Sequence, residues 1–260
     1  MFNRVLVSAP SEQFPRLALK RAAEMKELMG SRIYLSYIIE DNVFDEVSDQ
    51  IGHVLTEKEG DKFQKKMERE HRKMARKVVL KEAERILGIR PKDFLVQKGS
   101  FSETLTDTIN ENDIDLLMME YESFNLIKYR IMDRSPVPVW IERKEGPIKK
   151  IGLFCSNLSP NEHSPSVARS LMRAFSAKLD PYYIVDPKGR GDGEEAEILA
   201  GENRLKWNEV AREKVDSFIY GEAKEEEFDL IILGRIKKRG YFHMRSKFAK
   251  RTDCSVLMIN

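Results

Sequence analysis

Phe228-Asp229-Leu230-Ile231-Ile232-Leu233-Gly234 reads as an acidic turn that feeds a buried parallel strand, and the same pattern already stands at Asp113-Ile114-Asp115-Leu116-Leu117-Met118-Met119. Working outward, the neighbours of the two stretches match as well. A short strand, an amphipathic helix and a second strand run from Arg4 to Asp41, and similar apolar positions return from Lys150 to Asp186. The closing strands repeat too, as Pro136-Val137-Pro138-Val139-Trp140-Ile141 and Cys254-Ser255-Val256-Leu257-Met258-Ile259. A duplicated unit that opens and closes with buried strands is a tandem α/β architecture.

The length of 260 residues accommodates two domains of ordinary size, each with its own core. Charged residues make up 34% of the chain while the net charge is only +2, so the surface carries mixed signs and any basic patch is local. No apolar run approaches the roughly 20 residues that span a bilayer, and Met1-Phe2-Asn3-Arg4 enters a strand directly, so a cytoplasmic location without membrane insertion is expected. Cys155 and Cys254 lie in or beside apolar strands and read as reduced core residues.

Along the first copy, Val5-Leu6-Val7 is a short buried strand, and Leu17, Ala18, Ala22, Met25, Leu28 and Met29 share one face of the following helix, which Gly30 ends. Ile33 to Ile39 is the second strand. From Lys58 to Leu87 a highly charged segment carries Phe63, Met67, Met74, Val78 and Ile86 at mostly helical spacing, which predicts one long helix or two broken near Gly60, closed by Gly88. Phe94-Leu95-Val96 is a third strand, Gly99 a turn, Ser102-Glu103 a helix start, and Asp115 to Met119 a fourth strand. Prolines 136 and 138 place the fifth strand at a sheet edge.

In the second copy, Ile151 to Cys155, the helix carrying Val167, Ala168, Leu171, Met172 and Phe175, and Tyr182 to Val185 repeat the opening unit. The interval to the fourth strand is much shorter, Asp186 to Asp229 against Asp41 to Asp115. Trp207, Val210, Ala211, Val215, Phe218 and Ile219 are spaced as one helical face, which predicts a single long helix and a lost third strand, with Ser217-Phe218-Ile219-Tyr220 as an alternative remnant of it. The expected division is residues 1–143 and 150–260, joined by a linker at 144–149.

Both halves resemble universal stress protein domains. The resemblance rests on the Ser/Pro/Glu-rich turn after the first strand, the Ala-rich first helix, and second strands ending in Ile39-Glu40-Asp41 and Val185-Asp186. It rests further on Val96-Gln97-Lys98-Gly99-Ser100-Phe101-Ser102-Glu103, on the Asp229 to Gly234 strand, and on the Pro-Val-Pro-Val last strand. It implies two tandem open, doubly wound parallel sheets of strand order 3-2-1-4-5, the second copy shortened, with the last strands pairing inside one chain as a pseudo-dimer. It also implies ATP or AMP at the carboxyl ends of the strands, held by an acidic residue after the first strand and a Gly-rich loop after the fourth.

The chain departs from that pattern. In the first copy Ala9 or Pro10 takes the acidic position, and Glu120-Tyr121-Glu122 stands where the glycine loop would begin, so this copy is expected to be a scaffold. In the second copy the candidate nucleotide residues are Ser156, Asn157, Val185, Gly234, Arg235, Gly240, Ser246 and Lys247, with Lys237 replacing a loop glycine. The expected function is therefore a non-enzymatic stress-response regulator that binds a protein partner, with its nucleotide site degenerate and no cofactor. Two tandem chains could associate further as a homodimer. The alternative is an ATP or AMP sensor or slow ATPase using the second copy. A third reading takes the basic run from Arg235 to Arg251, interleaved with Tyr241, Phe242 and Phe248, as a phosphate-backbone surface, and solvated charges are the simpler account of it.

Gly189-Arg190-Gly191-Asp192-Gly193 fits neither the dinucleotide nor the Walker spacing and reads as a surface loop. His53, His71, His163 and His243 are isolated from one another, so no metal site is expected, and His71 is read as a helix-face residue.

Overall fold

The computed structural model describes residues 2–10, 14–40, 57–88, 93–121, 135–156, 163–187, 206–234 and 252–259. By contacts the chain divides into two compact units, Phe2–Ile131 and Met132–Asn260. The first contains β1 (Arg4–Pro10), α1 (Arg16–Met29), β2 (Arg32–Glu40), α2 (Glu57–Met74), a π-helical turn (Ala75–Val79), α3 (Leu80–Leu87), β3 (Asp93–Gly99), α4 (Phe101–Glu111) and β4 (Leu116–Glu120). Its strands are parallel in the order β3-β2-β1-β4. The inner strands are buried along nearly their whole length, as strands covered on both faces must be.

The second unit holds β5 (Val139–Glu142), β6 (Lys150–Ser156), α5 (Ser164–Phe175), β7 (Lys178–Val185), β8 (Lys206–Glu209), a 3-10 turn (Arg212–Lys214), α6 (Val215–Glu225), β9 (Leu230–Gly234) and β10 (Ser255–Ile259). Its strand order is β8-β7-β6-β9-β10-β5. All neighbours are parallel except β10 and β5, which run antiparallel with Val256 opposite Ile141, Leu257 opposite Trp140 and Met258 opposite Val139. The last strand of the first repeat thus pairs with the last strand of the second, as the resemblance implies. Pro136 and Pro138 precede β5, so neither removes a hydrogen bond from this pairing. Buried Glu142 ties the pair together, accepting from Trp140 Nε1 at 2.7 Å and from Ser255 Oγ at 2.8 Å.

Three expectations are corrected. First, the second unit keeps a third strand. Trp207 lies in β8, where its ring stacks on Tyr183 of β7 at 5.2 Å, and only Val215, Phe218 and Ile219 of the proposed stripe are helical. The helical spacing of Trp207, Val210 and Ala211 was coincidence across a strand and a turn. Second, Ser217 to Tyr220 belongs to α6 and is no strand remnant. The shortening falls between β7 and β8, at residues 186–205 against 41–92 between β2 and β3.

Third, of the two alternatives for the charged segment the single long helix holds and no break falls at Gly60, but its apolar stripe is overturned by a π-helical turn at Ala75–Val79. One extra residue per turn breaks the 3.6 period. The buried positions become Ala75, Val79, Leu80, Ala83 and Leu87, while Met74 and Val78 are exposed. Elsewhere the local signals act as read. Gly30 and Gly88 end their helices with φ of 70° and 67°, conformations that cost an L side chain energy. The helix from Phe101 begins one residue before Ser102. Cys155 and Cys254 are buried free thiols, and burial pushes the Cys254 thiol up to about 12. Among the described residues no helix is long and apolar enough to cross a membrane.

The two repeats share one clamp. Asp115, just before β4, accepts the Asn3 and Arg4 backbone N–H groups at 2.7 and 3.0 Å, and its own N–H donates to the Arg4 carbonyl at 3.0 Å. Asp229, just before β9, accepts the Lys149 and Lys150 N–H groups at 2.8 and 3.0 Å and donates to the Lys150 carbonyl at 2.9 Å. Even the strained residue two positions earlier recurs, Asp113 at φ 47° and Glu227 at φ 53°.

Burial alone would push the Asp229 carboxyl up, but the Lys149 N–H, the Lys144 ammonium at 3.1 Å and the Lys150 N–H together hold it below the usual aspartate value. Asp229→Ala should therefore destabilise the protein by about 1–3 kcal/mol at neutral pH, because two backbone donors lose their acceptor. The folded pKa is lowered, so the carboxylate's contribution is complete above the ordinary aspartate value and is lost as pH falls through the folded value. Urea unfolding of wild type and variant across pH should show the gap closing in acid; a gap independent of pH would refute this account.

Candidate functional site

In a doubly wound sheet the crevice for a ligand lies beyond the carboxyl ends of the strands, where the strand order reverses. In the first unit that place is flanked by the ends of β1 and β4. Helix α1 begins beside it without a side-chain cap. Pro15 holds the N-cap position and no acid stands in the first turn. A helix start leaves backbone N–H groups unpaired and carries partial positive charge, so it needs an acceptor from elsewhere.

Glu120, the last residue of β4, supplies it. Its Oε2 accepts from Leu17 N at 2.7 Å and Ala18 N at 3.3 Å, and the residue is only 4% exposed. Sequence reasoning read Glu120 only as standing where a glycine loop would begin and missed this role. The signal that could have revealed it is the start of α1, where Pro15 and not Ser, Thr, Asp or Asn holds the N-cap position. This crevice already holds an anion, the protein's own.

The corresponding elements of the second unit are read from the register of the repeat. Asp229 follows Asp115 by the same interval as Gly234 follows Glu120, so Gly234 ends β9 where Glu120 ends β4. Ser156 ends β6 and Val185 ends β7. Phe154 pairs with Leu233 and Ser156 with Ile184, so Ser156, Val185 and Gly234 stand together at the carboxyl ends of three neighbouring strands. The other candidates, Asn157, Arg235, Gly240, Ser246 and Lys247, lie outside the described residues, as do the rest of the basic run and the segment Gly189 to Gly193.

Helix α5 starts without a side-chain cap or an acid in its first turn, and carries Pro165 there. Ser164 is fully buried, and among the described residues its hydroxyl has no hydrogen-bond partner, as is also true of buried Ser8 in β1 of the first unit. In the register of the repeat Ser164 corresponds to Ala18, the residue whose N–H donates to Glu120. Where the first unit carries a carboxylate and an alanine, the second carries a glycine and an unsatisfied buried hydroxyl. A buried polar group without a partner is uncommon, and it marks a place where a ligand atom or water could be accommodated.

His71 bonds to the Tyr37 hydroxyl at 3.4 Å through Nδ1, in keeping with a helix-face role. Among the described residues no group of three or more His, Cys, Asp or Glu could hold a metal ion.

The model of the universal stress protein family matches residues 1–141, more than half of the chain. The chain belongs to the universal stress protein family. Solved structures place the whole chain in the same fold. A universal stress protein from Archaeoglobus fulgidus DSM 4304 matches with a TM-score of 0.66 and 13% identity, covering 99% of this chain and 96% of that one. A functionally unknown protein from Pseudomonas aeruginosa PAO1 matches with a TM-score of 0.62 and 12% identity, covering 99% and 92%. No curated protein matches the chain at a significant level. The fold class and tandem arrangement expected from the sequence are thereby established.

Glu120→Ala should destabilise this tandem universal stress protein by about 1–3 kcal/mol, because Leu17 and Ala18 lose a charged acceptor at the start of α1. Glu120→Gln, which keeps an acceptor but no charge, should recover about half of the loss. Chemical denaturation measures both, and an unaltered midpoint for the alanine variant would show that Glu120 does not cap the helix.

Proposed function

We propose that this protein is a non-enzymatic stress-response regulator whose first unit is a scaffold closed to nucleotides and whose action is the binding of a protein partner. The observation that carries the first half of this reading is Glu120, whose carboxylate occupies the donors at the start of α1. A nucleotide phosphate entering there would displace a buried, doubly bonded carboxylate and meet its charge. Partner binding draws support from Trp207, which is 54% exposed on β8, the outermost strand of its unit. Exposed tryptophan is enriched at contact surfaces, and an outer strand offers backbone groups for pairing.

A second reading has its own observation in Gly234. With glycine in place of the carboxylate, the crevice of the second unit lacks the obstruction found in the first. Ser156 and Val185 beside it fit the nucleotide sensor that the family resemblance suggests, with Gly234 admitting close approach of a phosphate to the backbone. Universal stress protein folds that bind ATP or AMP would use this crevice.

The two readings separate in a thermal-shift experiment with millimolar ATP or AMP and magnesium. A ligand that binds only the folded state raises the melting temperature, by about 2.7 kcal/mol of added stability at a hundredfold excess over its dissociation constant. The scaffold reading expects no shift in wild type. A rise that disappears in Gly234→Glu and persists in Glu120→Gln would sink that reading and establish a sensor in the second unit.

A further inference from the structure

A cleft of about 700 Å³ opens in the first unit between the start of α1 and the π-helical turn, sharing the end of β1 and the start of α1 with the crevice that Glu120 fills. Pro10 and Ala9 at the end of β1 and Tyr37 of β2 line it, with Phe14, Met74 and Val78 among its walls. The size suits a small-molecule ligand. Val78 is 59% exposed and Met74 38%, unusual for apolar side chains on a helix whose next turns are buried at Val79, Leu80 and Ala83. The π-helical turn accounts for this. It keeps Ala75 and Val79 against the core and leaves Val78, four residues after Met74, on the cleft side. Such turns occur often at functional sites.

The other lining groups are charged and mostly of one sign. Arg16 and Arg85 share Glu82 Oε1, at 3.0 and 2.6 Å, so that carboxylate is already engaged by two guanidinium groups. The side-chain bond from Arg85 holds Glu82 below the usual glutamate value despite the opposing effect of burial, with the charges of Arg85 and Arg16 adding to it. Lys77 and Lys81 also line the cleft. Neither is ion-paired among the described residues. With Arg85 they form a row at i, i+4 and i+8 on one helix face, where like charges repel and an anion would relieve the repulsion. Burial pushes the Tyr37 phenol up to about 12, so it stays neutral. The cleft therefore combines an apolar interior with four cations against one neutralised carboxylate.

We propose that this cleft binds a monomeric amphipathic anion, an alkyl chain ending in a carboxylate or phosphate. The chain lies on Pro10, Phe14, Met74 and Val78, and the head group is held by Lys77 and Lys81. Both parts are needed, because the cations are too exposed to hold a small anion tightly by themselves and the apolar walls gain only by covering hydrocarbon. The site is distinct from the crevice of the second unit and stands or falls apart from it.

Isothermal titration calorimetry of the full chain tests this with dodecanoate and dodecyl phosphate below micelle formation. Acetate, inorganic phosphate, dodecanol and AMP serve as comparisons. Saturable binding of both amphiphiles is expected, weakened about tenfold or more in Lys77→Glu/Lys81→Glu and in Val78→Asp. Acetate, phosphate and dodecanol should each bind at least about tenfold more weakly than the amphiphiles. All three substituted side chains are exposed, so melting temperatures close to wild type should accompany the loss.

Absence of saturable binding by either amphiphile would overturn the proposal, as would unchanged affinity in both variants or equal binding of the head groups alone. AMP binding that is lost in the same variants would overturn the ligand class. Sedimentation with phosphatidylglycerol vesicles without binding of the monomers would assign the basic row to a membrane surface and overturn it too.

Discussion

The architecture of both units depends on one carboxylate placed just before the fourth strand of each repeat. Asp115 and Asp229 each gather two backbone N–H groups at the amino end of the first strand and return a backbone N–H to it. In a parallel sheet whose first and fourth strands are neighbours, these are strands brought together from more than a hundred residues apart in the first unit. The closure entropy of that loop opposes the pairing, and register is its most vulnerable feature. A carboxylate that bonds two successive N–H groups permits only one register, since a slip of one residue would leave a charged acceptor and its donors unpaired. Once β1 meets β4 correctly, the buried apolar rows of both strands fall on the right faces and the helices have a surface to cover.

At the other end of the same strands the repeats diverge, and the divergence has a physical logic. An uncapped helix start beside a strand end needs negative charge or another acceptor. The first repeat fills that need from within, with Glu120. The second repeat has Gly234 there, with a buried hydroxyl at Ser164 that lacks a partner among the described residues. Duplication thus supplies an internal comparison: the same strand and helix with a carboxylate at the strand end in one copy and a glycine in the other. The cleft beside the π-helical turn lies in the first unit, and it owes its charge to a helix for which the second repeat leaves less chain between the equivalent strands.

Much of the fold was legible in the sequence because its causes are local. Continuous apolar runs such as Leu230 to Leu233 mark strands buried on both faces, and Gly30 and Gly88 mark helix ends because they adopt positive φ. The errors occurred where periodicity alone had to decide. Trp207, Val210 and Ala211 have helical spacing by chance, and Trp207 is held in a strand by pairing with β7 and by the Tyr183 ring. The stripe through Met74 and Val78 assumed a constant period, which a single π-helical turn removes. Of the candidate site, Ser156, Val185 and Gly234 could be named in advance because each ends a recognisable strand.

The sequence by itself determined that there are two α/β repeats and where their principal strands lie. Those conclusions follow from composition, spacing and internal repetition, which the chain carries regardless of how it folds. Tertiary structure alone decided that Glu120 caps α1 across 103 residues, that β8 survives as a third strand, and that Lys77, Lys81 and Val78 border one cleft. Each of these depends on which distant group is available as a partner, and a donor at Leu17 has no preference among acceptors until the sheet brings one within reach.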